Sequence, residues 1–240
     1  MTGKELKAGA RGTIFANVPG IFVVSLAFVA IFAALSWLSL RLTGTDMMYP
    51  RYMERILAGE LHSLALLLSF LKPAGFAFAA LLWLLGGILQ VGFLSYCLKA
   101  ARSAGSGYGC ALDGFLFARK VLAILVATAA LTALWSLLLF FPGVAAHYRY
   151  RQAYYILLDD PEKGALQCIR ESKLLMAGNK LDLFLLDLSF LGWHLLSIAV
   201  SVPMALFAGF SFPLVSLWLS PYMGVARAAY YDCLLEKIAT

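Results

Sequence analysis

The feature that most constrains this chain is its long runs without a single charged residue. Residues 20–40, 74–98, 121–141 and 188–226 contain no Asp, Glu, Lys or Arg. An α-helix rises about 1.5 Å per residue, so about 20 apolar residues cross the ~30 Å hydrocarbon layer of a bilayer. The composition agrees: 62% of the 240 residues are hydrophobic and 13% are charged, against about 25% charged in soluble domains. Alternating ten-residue strands are absent, which argues against an outer-membrane barrel. The expected fold class is all-α: a polytopic transmembrane helical bundle forming a single integral membrane domain over 1–240, with short interfacial helices.

The apolar runs predict membrane helices over about 13–41, 74–98, 120–141, 181–203 and 211–234. They also predict amphipathic surface helices over about 54–71, 111–119 and 161–177, and residues 3–12 lying along the headgroups. The run from Val18 is too long for the apolar core of a secretory signal, so it reads as a retained first helix. Asp160-Pro161-Glu162 reads as a helix start, with Asp as N-cap and Pro at the first helical position. Gly86, Gly87 and Gly92 are expected to let neighbouring helices approach closely. Pro221 is expected to kink the last helix, with Arg227 snorkelling to the headgroups near its inner end.

The stretch 142-PGVAAHYRYRQAYYILLDDP-161 decides the topology. If it is a loop, there are five spans and the Lys/Arg count runs twelve against seven, with the basic N-terminus exported. If Pro142-Gly143 is a turn and 143–159 crosses back, there are six spans. Of the nineteen Lys and Arg, Arg149 and Arg151 then lie inside the membrane. Arg41, Arg51, Arg55 and Lys72 lie on one side, and the other thirteen face the opposite side. Excess Lys and Arg mark the cytoplasmic side, so both termini are expected in the cytoplasm of a cell-membrane protein. The four cysteines (Cys97, Cys110, Cys168, Cys233) fall near that side and need no disulfides. The net charge of +6 is scattered over helix ends. It orients helices and is not a nucleic-acid signature.

That reading carries charge into the bundle. His147, Arg149, Arg151 and Gln152 lie on the fourth helix, Asp187 and His194 on the fifth, and Gln90 on the second. A buried arginine costs about 2.5–3.5 kcal/mol by insertion scales and pairs with an acid inside a bundle. Counting about 1.5 Å per residue puts Arg151 roughly 12 Å and Asp187 roughly 9 Å from the inner end. Arg151–Asp187 is therefore the expected ion pair, with Arg149 as the alternative partner. Asp187 and His194 are seven apart and are expected to share a helix face. Three readings stay open: a polar site, a structural pair that fixes helix order, and arginines that snorkel outward. The tyrosines at 148, 150, 154 and 155 read as packing.

Catalytic patterns are scarce. HExxH, the G-x-S-x-G elbow and the phosphate-binding GxxxxGK[ST] loop are absent. The cysteine spacing gives no zinc site, and no cofactor or metal is expected. The chain therefore reads as a non-enzymatic protein that binds or moves a lipid, amphiphile or peptide through a polar groove between the fourth and fifth helices. The alternative is an accessory subunit, with a membrane-protein partner or a second copy docking on the small-residue surface of Ala77, Ala79, Gly86, Gly87 and Gly92. No matching motifs mark the two halves as a repeat.

The motifs GGILQVGF (86–93), DGF (113–115), PGVAAHYRYRQAYYILLDDP (142–161), SKLLMAGNK (172–180), LFLLDLSFLGW (183–193) and SPYMGVARAAYYDCL (220–234) resemble the bacterial integral membrane family called domain of unknown function 975. The resemblance covers roughly 75–235. It implies a multi-span bacterial inner-membrane protein and no particular activity. It also implies small or apolar residues where this chain has His147, Arg149 and Arg151, so the charged set is a feature of this chain or of a subgroup.

Overall fold

A computed structural model describes residues 3–17, 20–44, 72–102, 107–208 and 213–239. Among the described residues the regular structure is helical throughout. In chain order the helices are α1 (Gly3–Ala16), α2 (Gly20–Thr43), α3 (Pro73–Ala101), a short 3-10 turn at Tyr108–Leu112, α4 (Asp113–Leu116), α5 (Ala118–Leu138), α6 (Phe140–Tyr150), α7 (Ala153–Asp159), α8 (Ala165–Leu175), α9 (Lys180–Leu188), α10 (Leu191–Ala208) and α11 (Leu214–Ala239). Four stretches are long and apolar enough to cross a membrane: Gly20–Thr43, Pro73–Ala101, Ala118–Leu137 and Lys180–Met204. These fit the expected spans over 13–41, 74–98, 120–141 and 181–203, with shifted ends. At 26 residues α11 is long enough to cross, but it carries Arg227, Asp232, Glu236 and Lys237 and is not among the four. The predicted surface helix 54–71 lies outside the described residues.

The chain divides into two compact units, residues 30–86 and residues 1–29 with 87–240. In the smaller unit the end of α2 meets the start of α3, where Lys72 N donates to the Thr43 carbonyl at 2.9 Å. Phe32 lies against Gly86, where an added Cβ would sit 3.5 Å from its ring.

The larger unit packs around α11. The N-terminal helix is separate from the first span: Leu6, Ala10 and Ile14 form the buried face of α1, which packs on α9 and α11. Spacings of four residues put these three on one stripe of a helix. Helices α5 and α6 form an antiparallel hairpin. Its reversal is at Leu139, which is extended (φ −163, ψ 151), and not at Pro142-Gly143. Pro142 falls in the first turn of α6, where its missing N–H has no helical acceptor to lose. Gly143 instead allows the two arms to close, because any Cβ there would collide with Ser136.

The expected helix 143–159 is split. Arg151 and Gln152 form a turn between α6 and α7, yet their backbone stays near helical values. Ile156 N still donates to the Gln152 carbonyl at 3.1 Å. The expected helix 181–203 is likewise broken at Ser189-Phe190. The predicted start at Asp160-Pro161 is also displaced. Asp160 Oδ1 accepts from Glu162 N at 3.3 Å in a local turn, and α8 begins at Ala165 after Gly164. The predicted 111–119 helix resolves into the 3-10 turn, α4 and the first residues of α5.

Glycine sets a close crossing between α3 and α4. A Cβ on Gly92 would run into the Ala111 carbonyl, and one on Gly114 into the Ile88 carbonyl. Gly87 admits the Leu125 side chain in the same way. Backbone cannot yield as a flexible side chain does, and overpacking costs about 1–3 kcal/mol. Gly92→Ala and Gly114→Ala should each lower the thermal unfolding midpoint in mild detergent. Gly192→Ala in α10, where nothing lies within 4 Å, should leave the midpoint unchanged or raise it slightly.

Candidate functional site

Asp187 is the centre of the polar interior. Its Oδ2 accepts from Arg151 Nη1 at 2.6 Å and from the Tyr148 hydroxyl at 3.2 Å. Its Oδ1 accepts from Arg227 Nε at 2.9 Å. Four helical segments meet here: α6 through Tyr148, the α6–α7 turn through Arg151, α9 through Asp187 and α11 through Arg227. All three charged side chains are at most a quarter exposed. The Arg151 guanidinium also lies over the Tyr148 ring, 5.8 Å from its centroid, and Tyr148 is held edge-on by Phe184.

The expected Arg151–Asp187 pair is therefore present, but it is one side of a larger arrangement. Arg227 does not snorkel; it turns inward and takes the second carboxylate oxygen. Two guanidinium groups share one carboxylate, so the centre keeps one uncompensated positive charge. Both Asp187 oxygens are occupied, while each arginine has further N–H donors.

The other expected site residues divide. Gln152 is 1% exposed and lies in the turn beside Arg151; its Oε1 has no partner among the described residues. The Tyr155 hydroxyl is buried in the same unpaired state, and the ring stacks on Tyr231 at 5.1 Å. Arg149 is half-buried. Its carbonyl accepts from Ser172 at 2.8 Å, and it is not the partner of Asp187. His147 is exposed, with its ring edge-on to Tyr148. His194 is exposed on α10. The break at Ser189-Phe190 ends the seven-residue phase relation that placed it on the face of Asp187. Gln90 on α3 is half-buried and makes no hydrogen bond to this centre. Among the described residues no group of His, Cys, Asp and Glu is arranged to hold a metal.

A second knot lies at the ends of α3, α7 and α11. Arg102 grips Asp159 with two hydrogen bonds (2.6 and 3.0 Å) and donates to Asp232 from Nε and Nη2 (2.9 and 2.5 Å). The Tyr231 hydroxyl donates to Asp159 at 3.0 Å. Nearby, Lys99 and Ser95 both donate to Asp113, and Lys120 donates to the Pro161 carbonyl. Bidentate Arg–carboxylate pairing fixes geometry as well as charge. Here it fixes the end of α7 beside the end of α3.

The family described as "Protein of unknown function (DUF975)" matches residues 110–237, more than half of the chain. No curated protein and no solved structure matches it.

Removing one partner of a buried ion pair costs about 3–5 kcal/mol, because it strands a charge. Asp187→Asn should therefore be strongly destabilising, since it leaves Arg151 and Arg227 facing each other. Arg151→Gln should cost far less, because the Arg227–Asp187 pair remains and the centre becomes neutral. Thermal unfolding of the purified variants checks the order; equal stability of Asp187→Asn and wild type would refute the assignment.

Proposed function

The chain belongs to this family of unknown function, and on that premise we propose that it is a multi-pass bacterial membrane protein, without enzymatic activity, that binds or moves an amphiphile bearing an acidic group. The observation that carries the reading is the two-to-one ratio of guanidinium to carboxylate at Asp187. A purely structural pair is neutral when complete. This centre holds one surplus positive charge on donors with hydrogen bonds to spare, with the His147 ring edge-on to its Tyr148. An acidic headgroup is the chemistry that complements it.

The proposed topology has six crossings with both ends in the cytoplasm. The α6–α7 pair and α11 supply the crossings beyond the four long apolar stretches. Residues 140–159 rise about 30 Å if helical, enough to return across the bilayer beside α5. Two contacts support this: Lys120–Pro161 joins the start of α5 to the end of α7, and Arg102–Asp159 joins the end of α3 to the same end of α7. A second reading, an accessory subunit, is favoured by His194. It stands exposed on α10 among exposed Trp193, Leu195 and Leu196, where a polar partner group would suit it better than lipid. The small-residue surface does not favour that reading, since Gly87 and Gly92 are filled within the chain by Leu125 and Ala111.

Two measurements test the proposal. Phe141 is 82% exposed near the Leu139 reversal. A Phe141→Cys variant with the native cysteines replaced should react with a membrane-impermeant thiol reagent added to intact cells. Reaction only after the cells are opened would reverse or remove this crossing. Separately, dodecyl phosphate added to protein in dodecyl maltoside should raise the unfolding midpoint of wild type more than that of Arg151→Gln. An equal rise in both would remove the Asp187 centre from amphiphile binding.

A further inference from the structure

A cavity of about 700 Å³ opens between α1, α9 and α11, and none of its lining residues belongs to the Asp187 centre. The volume falls within the ~300–1,000 Å³ of ligand sites. Its apolar wall is built by Leu6, Leu185, Leu186 and Leu234, and its charged lining by Lys7, Lys237 and Asp182. The lining thus carries two ammonium groups against one carboxylate.

The Lys7 charge is loosely matched within the protein. Lys7 Nζ donates to the Ser189 carbonyl at 3.0 Å and lies 4.5 Å from the centre of the Phe190 ring. It has a carbonyl and an aromatic face for company and makes no ion pair among the described residues. Burial and the nearby Arg11 push its pKa below the ordinary lysine value, as expected for an ammonium without an anion. Lys237, about half exposed, lies 3.9 Å from Asp182, an ion-pair geometry that contributes little, and donates to Asn179 Oδ1 at 3.4 Å. The cavity also sits where a lipid can reach it. Helix α1 is amphipathic, and exposed Leu181, Leu185 and Ile238 continue the apolar wall outward from α9 and α11.

We propose that this cavity is a binding site for an anionic phospholipid, with one acyl chain along Leu6, Leu185, Leu186 and Leu234 and the phosphate at Lys7 and Lys237. Charge complementarity selects this occupant, since an apolar wall under a net positive rim matches a chain under a negative headgroup. Lysines at the headgroup level attract anionic lipid in the same sense. The site is independent of the reading of Asp187, because no residue is common to both.

Cys233 lines the cavity and reports on it. Cys97 and Cys168 are fully buried, so replacing Cys110 with Ser leaves Cys233 as the accessible thiol. The full-length Cys110→Ser protein in dodecyl maltoside is titrated with phosphatidylglycerol or with phosphatidylcholine. The rate of Cys233 modification by neutral methyl methanethiosulfonate is then followed. Phosphatidylglycerol should slow it several-fold and phosphatidylcholine less than twofold. Adding Lys237→Gln or Lys7→Gln should abolish most of the difference. No slowing by phosphatidylglycerol, or equal slowing by both lipids, overturns the proposal. Reaction at Cys97 or Cys168 marks an unfolded variant. If Lys7→Gln unfolds, the more exposed Lys237→Gln decides.

Discussion

The larger unit depends on one carboxylate. Among the described residues Asp187 is the one acid at the meeting of the α6–α7 turn, α9 and α11, and it satisfies two arginines and a tyrosine hydroxyl at once. Apolar packing alone gives helices in a membrane little reason to choose one neighbour over another, because lipid tails are as apolar as leucine. A charge that needs two named partners supplies that reason. The cost of burying it is met only when all three elements are in register, so the centre selects one arrangement of helices.

The polar contacts are distributed in a way that supports this role. Arg102 joins the ends of α3, α7 and α11 through Asp159 and Asp232, Lys99 holds α4 to α3 through Asp113, and Lys120 caps the end of the α6–α7 arm. All of these lie at the end of the hairpin opposite Leu139. One end of the α5–α6–α7 hairpin is thus fastened by ion pairs in reach of water, where such pairs are individually weak. Its middle is fastened by Asp187, where the alternative to pairing is an isolated charge. The fastening at the end orients the arms, and the fastening in the middle makes the orientation costly to lose.

How much of this is legible in the sequence follows from what each signal can encode. Apolar run length locates the long helices, because the bilayer imposes a minimum. Counting rise per residue from the two inner ends brings Arg151 level with Asp187, and the ion pair follows. Arg227 is not legible: an arginine near the end of an apolar helix has the same sequence context whether it reaches out to headgroups or in to an acid. The breaks at Arg151-Gln152 and Ser189-Phe190 contain neither proline nor glycine, so no local signal announces them. Conversely, Pro142-Gly143 and Asp160-Pro161 carry strong turn and cap signatures that the fold uses differently, one inside the first turn of α6 and one in a loop ahead of α8. The glycines at 87 and 92 announce close approach, but not that the approaching groups come from within the chain.

The short helix α9 connects the interior to the cavity. Nine residues long, it is bounded by a turn ending at Asn179 and by the break at Ser189-Phe190. Its Asp182, Leu185 and Leu186 line the cavity, while Asp187 points to Arg151 and Arg227. Even the break takes part, since the Ser189 carbonyl accepts from Lys7 and Phe190 lies under the same ammonium. A continuous helix from Lys180 to Met204 would commit the Ser189 carbonyl to the helical ladder and carry His194 round with Asp187. The broken helix leaves that carbonyl for Lys7 of α1. The break therefore allows one segment to hold a charge in the bundle, shape a basic cavity beside it and anchor the N-terminal helix.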